Sequence, residues 1–263
     1  MTIANYPFWR VVPGNREGEY ILPVMPPATV GPEGAPHIMG GVGLAAIIDA
    51  MELESKLPLQ YAQVQFLSPT HHTEELQITC EQCGGGQSIA QYAGGASVNG
   101  RPTHRASAAL GRRDPSNQTL FAAMPEVPAP AECPIRVPEG QSVGSLTDQF
   151  EVRIAHADPD RGQQTIWTRS KAGFAADVGW IAIISDFFLG AHPLAASGGA
   201  SLDAMLRFVQ GAESEWVLSS IEFASFNGGV VHGSARHFAE DGRLLAISSQ
   251  SGVLPRNPIP AAG

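Results

Sequence analysis

An aspartate stands in the most apolar stretch of this 263-residue chain: Asp186, flanked by Ile183, Ile184, Phe187 and Phe188. Burying a carboxylate without partners costs several kcal/mol or forces it to take up a proton. A residue kept at such a place is hydrogen-bonded for a purpose or sits where a helix meets a cleft. The plainer alternative is a narrow polar strip, shared with Ser185, that faces solvent. Either way, a carboxyl group held among apolar residues is the position in this chain most suited to carry chemistry. Other chemistry-bearing residues offer less. Cys80-x-x-Cys83 is a lone pair in a strand-like segment, without a second pair or a histidine at zinc spacing, so no metal or redox site is expected. His71 and His72 follow Pro69 in a turn and read as solvated, and His37, just before a helix, could line a cleft or stand on the surface. No G-x-S-x-G is present, which removes the main support for a serine-nucleophile hydrolase, and GGVG lacks the spacing of a dinucleotide-binding loop.

The elements that must position such a residue belong to a chain able to build a core, with 43% hydrophobic and 16% charged residues. A net charge of −9 argues against a nucleic-acid partner, because affinity for phosphate backbones comes mainly from Lys and Arg. The longest apolar run, Val178 to Leu189, is shorter than the ~20 residues of a membrane span and is interrupted by Ser185 and Asp186. Three cysteines form no disulfide framework, and MTIANYPFWR lacks the basic and apolar regions of a signal peptide; a cytoplasmic protein without a membrane partner is expected.

Between Arg113 and Gly144 the prolines crowd, at 115, 125, 128, 130, 134 and 138, which reads as an extended linker. The expected organisation is therefore an amino-terminal domain over 1–113, a linker over 114–144 and a carboxy-terminal domain over 145–263. Shifting the sequence by 142 residues aligns Phe66 with Phe208, Gly86 with Gly228, and Asn99-Gly100-Arg101 with Asp241-Gly242-Arg243, a pattern expected of a duplicated domain. Each half carries two short strands (PFWRVV and GEYILPV; QFEVRIA and QTIWTRSK), one helix, and then long strands with a hairpin signal at Asn99-Gly100 or Asp241-Gly242. The helices are read in GGVGLAAIIDAMELES and VGWIAIISDFFLGA. The second is apolar on every side and must be enclosed by other structure. A long curved antiparallel sheet wrapped around a central helix does this, so the expected class is α+β, a tandem (double) hot-dog.

The chain resembles the type II acyl-CoA thioesterases, the TesB-like double hot-dog enzymes. IISDFFL, SLDAMLRFV, EWVLSSIE and AEDGRLLAISSQSGVLPR carry the likeness in the second half, and GGVGLAAII and VQFLSPTHHTEELQITCEQCGGGQS in the first. The resemblance implies hydrolysis of acyl-CoA thioesters by water held between an Asp, a Thr or Ser, and a Gln. In this sequence those are Asp186, Ser201 and Gln250, with no cofactor and no metal. At the 142-residue offset the three face Leu44, Leu59 and Ala108, so one half is polar where the other fills a core. Backbone N–H groups at a helix amino end could hold the oxyanion, either at Gly40-Gly41 or near Gly179. Arg112, Arg113 and Arg256 are the basic residues available to the CoA phosphates, with Arg256 taken as the substrate contact. The sequence departs from the family at Ala204 and Val209, where histidines are usual, at Ser251, where an acid is common, and in a short loop between Asp186 and Ser201. A non-catalytic acyl-thioester-binding protein and an acyl-CoA hydratase or dehydratase are the alternatives; the latter uses an Asp–His pair, and no histidine is expected near this site. Sheet edges need covering, so a homo-oligomer is expected.

Overall fold

The computed structural model describes residues 7–112, 118–137, 142–193 and 198–254. The chain opens with β1 (Val12–Pro13), β2 (Glu19–Pro23), β3 (Thr29–Val30) and β4 (His37–Ile38). Helix α1 (Gly40–Ser55) precedes β5 (Leu59–Phe66), β6 (Glu75–Gly85), β7 (Ile89–Val98) and β8 (Arg101–Gly111). After the proline-rich segment come β9 (Phe150–Asp158), β10 (Gln163–Ser170), α2 (Val178–Ser185), β11 (Ala200–Phe208), β12 (Val217–Asn227), β13 (Val230–Ala239) and β14 (Leu244–Val253).

Twelve of these strands make one sheet in the order β1-β2-β6-β7-β8-β5-β11-β14-β13-β12-β10-β9. The order is nearly a mirror about the β5–β11 pair, where Asp203 lies opposite Gln65 and Arg207 opposite Tyr61 in antiparallel register. The long strands repeat at the expected offset: β6 and β12 lie 142 residues apart at both ends. The helices do not, since α1 and α2 begin 138 residues apart. Counted from the helix starts, Asp186 answers to Ile48 and not to Leu44; from helix start to the end of the following strand the second half is longer by four residues (Val178 to Phe208 against Gly40 to Phe66), which a gapless shift cannot show. Ile48, Leu59 and Ala108 are all buried, so the contrast of polar against apolar positions survives the change.

Helix α1 packs on β5, β6, β7 and β8 on one side and on α2 on the other. Enclosure explains why Val42, Leu44, Ala45, Ile47, Ile48 and Met51 are buried together. Asp49, in the same buried series, accepts the Val11 N–H at 2.9 Å and pairs with the Arg10 guanidinium. The amino-terminal segment, expected as a strand at PFWRVV, is a turn with only Val12–Pro13 paired. Its Phe8 and Trp9 are core residues instead, and Trp9 fills the space over Gly179, where a Cβ would come within 2.1 Å of the indole nitrogen. Gly179 therefore serves packing, and it is not among the residues that line the cavity described below.

In α2, Trp180, Ile181 and Ile183 have no exposed surface. Burial on this scale stabilises by about 1.5–3 kcal/mol per large side chain. The helix is shorter than the apolar run suggests. It starts on the Asp177 carboxylate, which accepts the Trp180 N–H at 2.9 Å, and stops at Ser185. Asp186 N–H and Phe187 N–H then bond three residues back, to Ile183 O and Ile184 O, the tighter spacing of a closing turn. Asp186 is thus the residue that ends α2. Beneath the same helix, on the inner face of the sheet, His237 is fully enclosed and shares hydrogen bonds of 2.9 Å with Ser219 and with Ser248.

The proline-rich segment is no free spacer where it is described. Arg136 N–H donates to Val152 O, Ile154 N–H donates to Pro134 O, and Ile135 bridges Arg153, so residues 134–136 run along the outer edge of β9. Trp167 Nε1 donates to Pro128 O and Arg153 Nη1 to Pro130 O. A stretch poor in N–H donors covers the sheet edge without offering a further edge to pair with. Among the described residues, no helix is long and apolar enough to cross a membrane.

Candidate active site

The Asp186 carboxylate, 8% exposed, meets three donors from three separate elements. Gly41 N–H, in the first turn of α1, donates to Oδ2 at 2.7 Å. Ser201 Oγ, on β11, donates to Oδ1 at 3.3 Å, and Gln250 Nε2, on β14, donates to the same oxygen and to Ser201 Oγ at 2.6 Å. Residues 15 and 64 positions from Asp186 converge because β11 and β14 are hydrogen-bonded neighbours, with Ser201 opposite Gly252. Burial pushes the Asp186 pKa up to about 6, against the pull of the Gly41, Gln250 and Ser201 donors. The positive amino end of α1 faces the carboxylate, while the negative end of α2 lies just behind it.

Glycines make this approach possible. A Cβ at Gly41 would lie 2.6 Å from Ile183 O and 2.9 Å from Asp186 Cβ, and one at Gly40 would lie 2.8 Å from Asp186 Oδ2. Met39 supplies no side-chain cap to α1, so the carboxylate of another helix takes that place.

Asp186 and Ser201 open onto a cavity of roughly 600 Å³, within the usual range for a small-molecule site. Its walls are largely apolar, with Phe66, Leu67, Phe150, Val152 and Phe187 prominent. Gln250 does not line it; at 5% exposure it stands behind the other two, and its Oε1 is buried without a partner among the described residues. Of the expected substrate contacts, Gly40 lines the cavity, whereas the Gly41 N–H is committed to Asp186 and cannot serve a ligand. Arg256 and Arg113 lie outside the described residues, and Arg112 is exposed and absent from the cavity wall. Cys80 is buried and Cys83 exposed, which sets the pair on different surroundings of β6.

Three further wall residues bear on the chemistry, two of them not anticipated by the sequence reading. His37, left open there, lines the cavity. His104 does too, against the expectation that no histidine comes near, because β8 runs beside β5 and carries it to the Phe66 ring, 5.7 Å away edge to face. A histidine in a strand-like THRASAALG gives no signal beyond alternation. Its Nδ1 is 2.9 Å from Thr103 Oγ1, and a Cβ at Gly43 would come within 2.5 Å of its Nε2. Arg136, from the proline-rich segment, is the third, and its guanidinium donates to Gly190 O.

Burial lowers the pKa of both His104 and His237 to about 4. Each is held neutral in the fold yet protonates near pH 6.5 when unfolded, so each contributes stability that is lost as pH falls from about 6.5 to 4, by about 3 kcal/mol. Asp186 works oppositely, gaining about 3 kcal/mol over the fall from pH 6 to 4. Two losses against one gain leave a net loss of about 3 kcal/mol from these groups. Urea unfolding at pH 7 and pH 4.5 should show it, with a smaller loss in His237→Gln. Equal acid sensitivity in that variant would rule the buried imidazole out as a cause.

Residues 125–254 match the sequence profile of the acyl-CoA thioesterase C-terminal domain. A candidate thioesterase from Novosphingobium aromaticivorans is similar in structure with a TM-score of 0.87 at 29% identity, over 95% of this chain and 99% of that one. An acyl-CoA thioesterase II from Mycobacterium marinum gives 0.76 at 20% identity, over 95% and 98%. A hot-dog-fold protein of unknown function from Alicyclobacillus acidocaldarius gives 0.80 at 18%, over 95% and 97%. These likenesses establish the hot-dog fold. A comparison with curated proteins gives no match.

Proposed function

Because residues 125–254 belong to the acyl-CoA thioesterase C-terminal domain family, we propose that this chain is a tandem hot-dog enzyme that hydrolyses acyl-CoA thioesters to a carboxylic acid and CoA. The observation that carries the reading is the number of donors on Asp186. An ionised carboxylate offers about four lone-pair sites. Gly41, Ser201 and Gln250 take three of them, leaving one on the side of the cavity for a water molecule.

In the proposed reaction Asp186 takes a proton from that water while its oxygen bonds to the thioester carbonyl carbon. Negative charge gathers on the carbonyl oxygen, and the Gly40 N–H at the amino end of α1 is the donor we assign to it. When the C–S bond breaks, the thiolate leaves and recovers the proton from Asp186. Ser201 holds Asp186 and touches substrate from the cavity wall; Gln250, away from that wall, is a positioning residue that orients both.

The base must be ionised, so kcat/KM should rise about tenfold per pH unit below pH 6 and level off above it. An apparent pKa near 4, the ordinary carboxylate range, would remove Asp186 as the base. Hydration of an unsaturated acyl-CoA would need an acid–base histidine. Of the two histidines on the cavity wall, His104 has its ring nitrogens turned to Thr103 and Gly43, which favours hydrolysis. The reaction is tested by incubating acyl-CoAs of graded length and measuring free thiol and free acid. Equal release of both is expected; a hydroxyacyl-CoA product with no thiol would establish the hydratase, and tight binding with no product a carrier.

A further inference from the structure

Among the described residues, Arg136 is a cation without a counter-ion at the wall of an apolar cavity. Nine ion pairs tie arginines to carboxylates among the described residues, and Arg136 is in none of them. Its one side-chain hydrogen bond among the described residues goes to the Gly190 carbonyl, and Arg136 is the only Lys or Arg among them that lines the cavity. Desolvation lowers its pKa, and no carboxylate among the described residues opposes it. The backbone that carries it is fixed, since Arg136 N–H is bonded to Val152 O at 2.8 Å on the edge of β9. Leaving a charge partly out of water with most of its five donors unanswered is costly unless a ligand answers them.

Position limits what that ligand can be. Gly190 follows Asp186 by four residues, a stretch that spans at most about 14 Å. An anion held by Arg136 is therefore within one molecule's reach of a thioester at Asp186 and Ser201. The cleaved group itself is neutral, so the charge has to come from another part of the same substrate. Planar, forked guanidinium suits carboxylate and phosphate alike.

We infer that Arg136 is an anion-binding, specificity-determining residue, and that it selects thioesters bearing a further negative group: a carboxylate at the far end of the acyl chain, or a phosphate of the CoA moiety. The inference rests on the proposed hydrolysis and deepens it by naming the substrate class.

Three thioesters separate the sources: adipoyl-CoA, hexanoyl-CoA and hexanoyl-pantetheine, assayed by thiol release with wild type, Arg136→Gln and Arg136→Lys. Gln keeps a donor for Gly190 O without the charge, Lys keeps the charge, and thermal melts check both folds. If the acyl carboxylate is the anion, the adipoyl-to-hexanoyl ratio of kcat/KM favours adipoyl-CoA in wild type, falls at least tenfold in Arg136→Gln and returns in Arg136→Lys. If a CoA phosphate is the anion, the same pattern appears in the ratio of hexanoyl-CoA to hexanoyl-pantetheine. A wild type that prefers neither member of either pair, or ratios unmoved by the substitutions, would overturn the inference. Should wild type release no thiol from any of them, the hydrolytic reading fails on its own; the three compounds are then stable ligands, and the same ratios are read from dissociation constants by calorimetry.

Discussion

Asp186→Asn is expected to lower thioester hydrolysis by roughly 10²–10⁴-fold, the usual contribution of a positioned general base. The substitution keeps the shape of the side chain and an oxygen for the Gly41 N–H, but it removes the carboxylate assigned to take the proton from water. Steady-state thiol release measures the loss, and retention of more than a tenth of wild-type kcat would show that another group or no group activates the water. A second readout distinguishes loss of a base from loss of structure. The folded pKa of about 6 lies above the ordinary 3.8, so ionising Asp186 destabilises the fold, and the cost appears as pH rises from 3.8 through 6. At pH 7 it amounts to about 3 kcal/mol. Asn has no such cost. The stability of the variant relative to wild type should therefore improve by that amount between pH 4 and pH 7, while its activity stays low at both. A pH-independent difference would mean that the carboxylate is not buried as the geometry has it.

This trade between stability and activity is what makes the site partly visible in the amino-acid sequence alone. An acid among Ile183, Ile184, Phe187 and Phe188 breaks the rule that cores avoid unpaired charge, and a residue that breaks a local rule marks function. The duplicated strands are legible too, since hairpin glycines and alternation repeat at a fixed offset, and Asn99 and Gly100 take the positive φ of 49° and 79° that their turn requires. Ser201 and Gln250 are not legible from physics alone. Neither stands out in an alternating strand, and only likeness to a known family singles them out. The end of α2 is hidden because apolarity continues past Ser185 while the hydrogen bonding tightens. His104 and Arg136 escape for a different reason: both reach the cavity through pairings with β5 and β9 that no short-range pattern encodes. The proline-rich stretch hides its role because proline density reports an extended backbone and says nothing of what that backbone lies against.

Gly41→Ala, a single methyl group, is expected to do more damage than its size suggests. In a free helix the change would stabilise by up to about 1 kcal/mol. Here the new Cβ would sit 2.6 Å from the Ile183 carbonyl oxygen, at the end of a helix whose Ile183 and Ile184 are buried in the core and cannot swing aside. Gly43 offers a contrast, since a Cβ there meets the tip of the His104 ring, a side chain. Overpacking against backbone costs about 1–3 kcal/mol, which outweighs the gain in propensity, so a net loss of stability of about 1–2 kcal/mol should follow in urea unfolding. Relief of the clash must part α1 from α2, and the Gly41 N–H moves with it. That donor lowers the Asp186 pKa, so its withdrawal should carry the midpoint of the pH–rate profile above 6. It should also reduce kcat by roughly 10²-fold through misplacement of the base. A variant destabilised to this degree but with an unmoved midpoint would separate packing from chemistry, and would show that the amino end of α1 supports the fold without tuning the carboxylate.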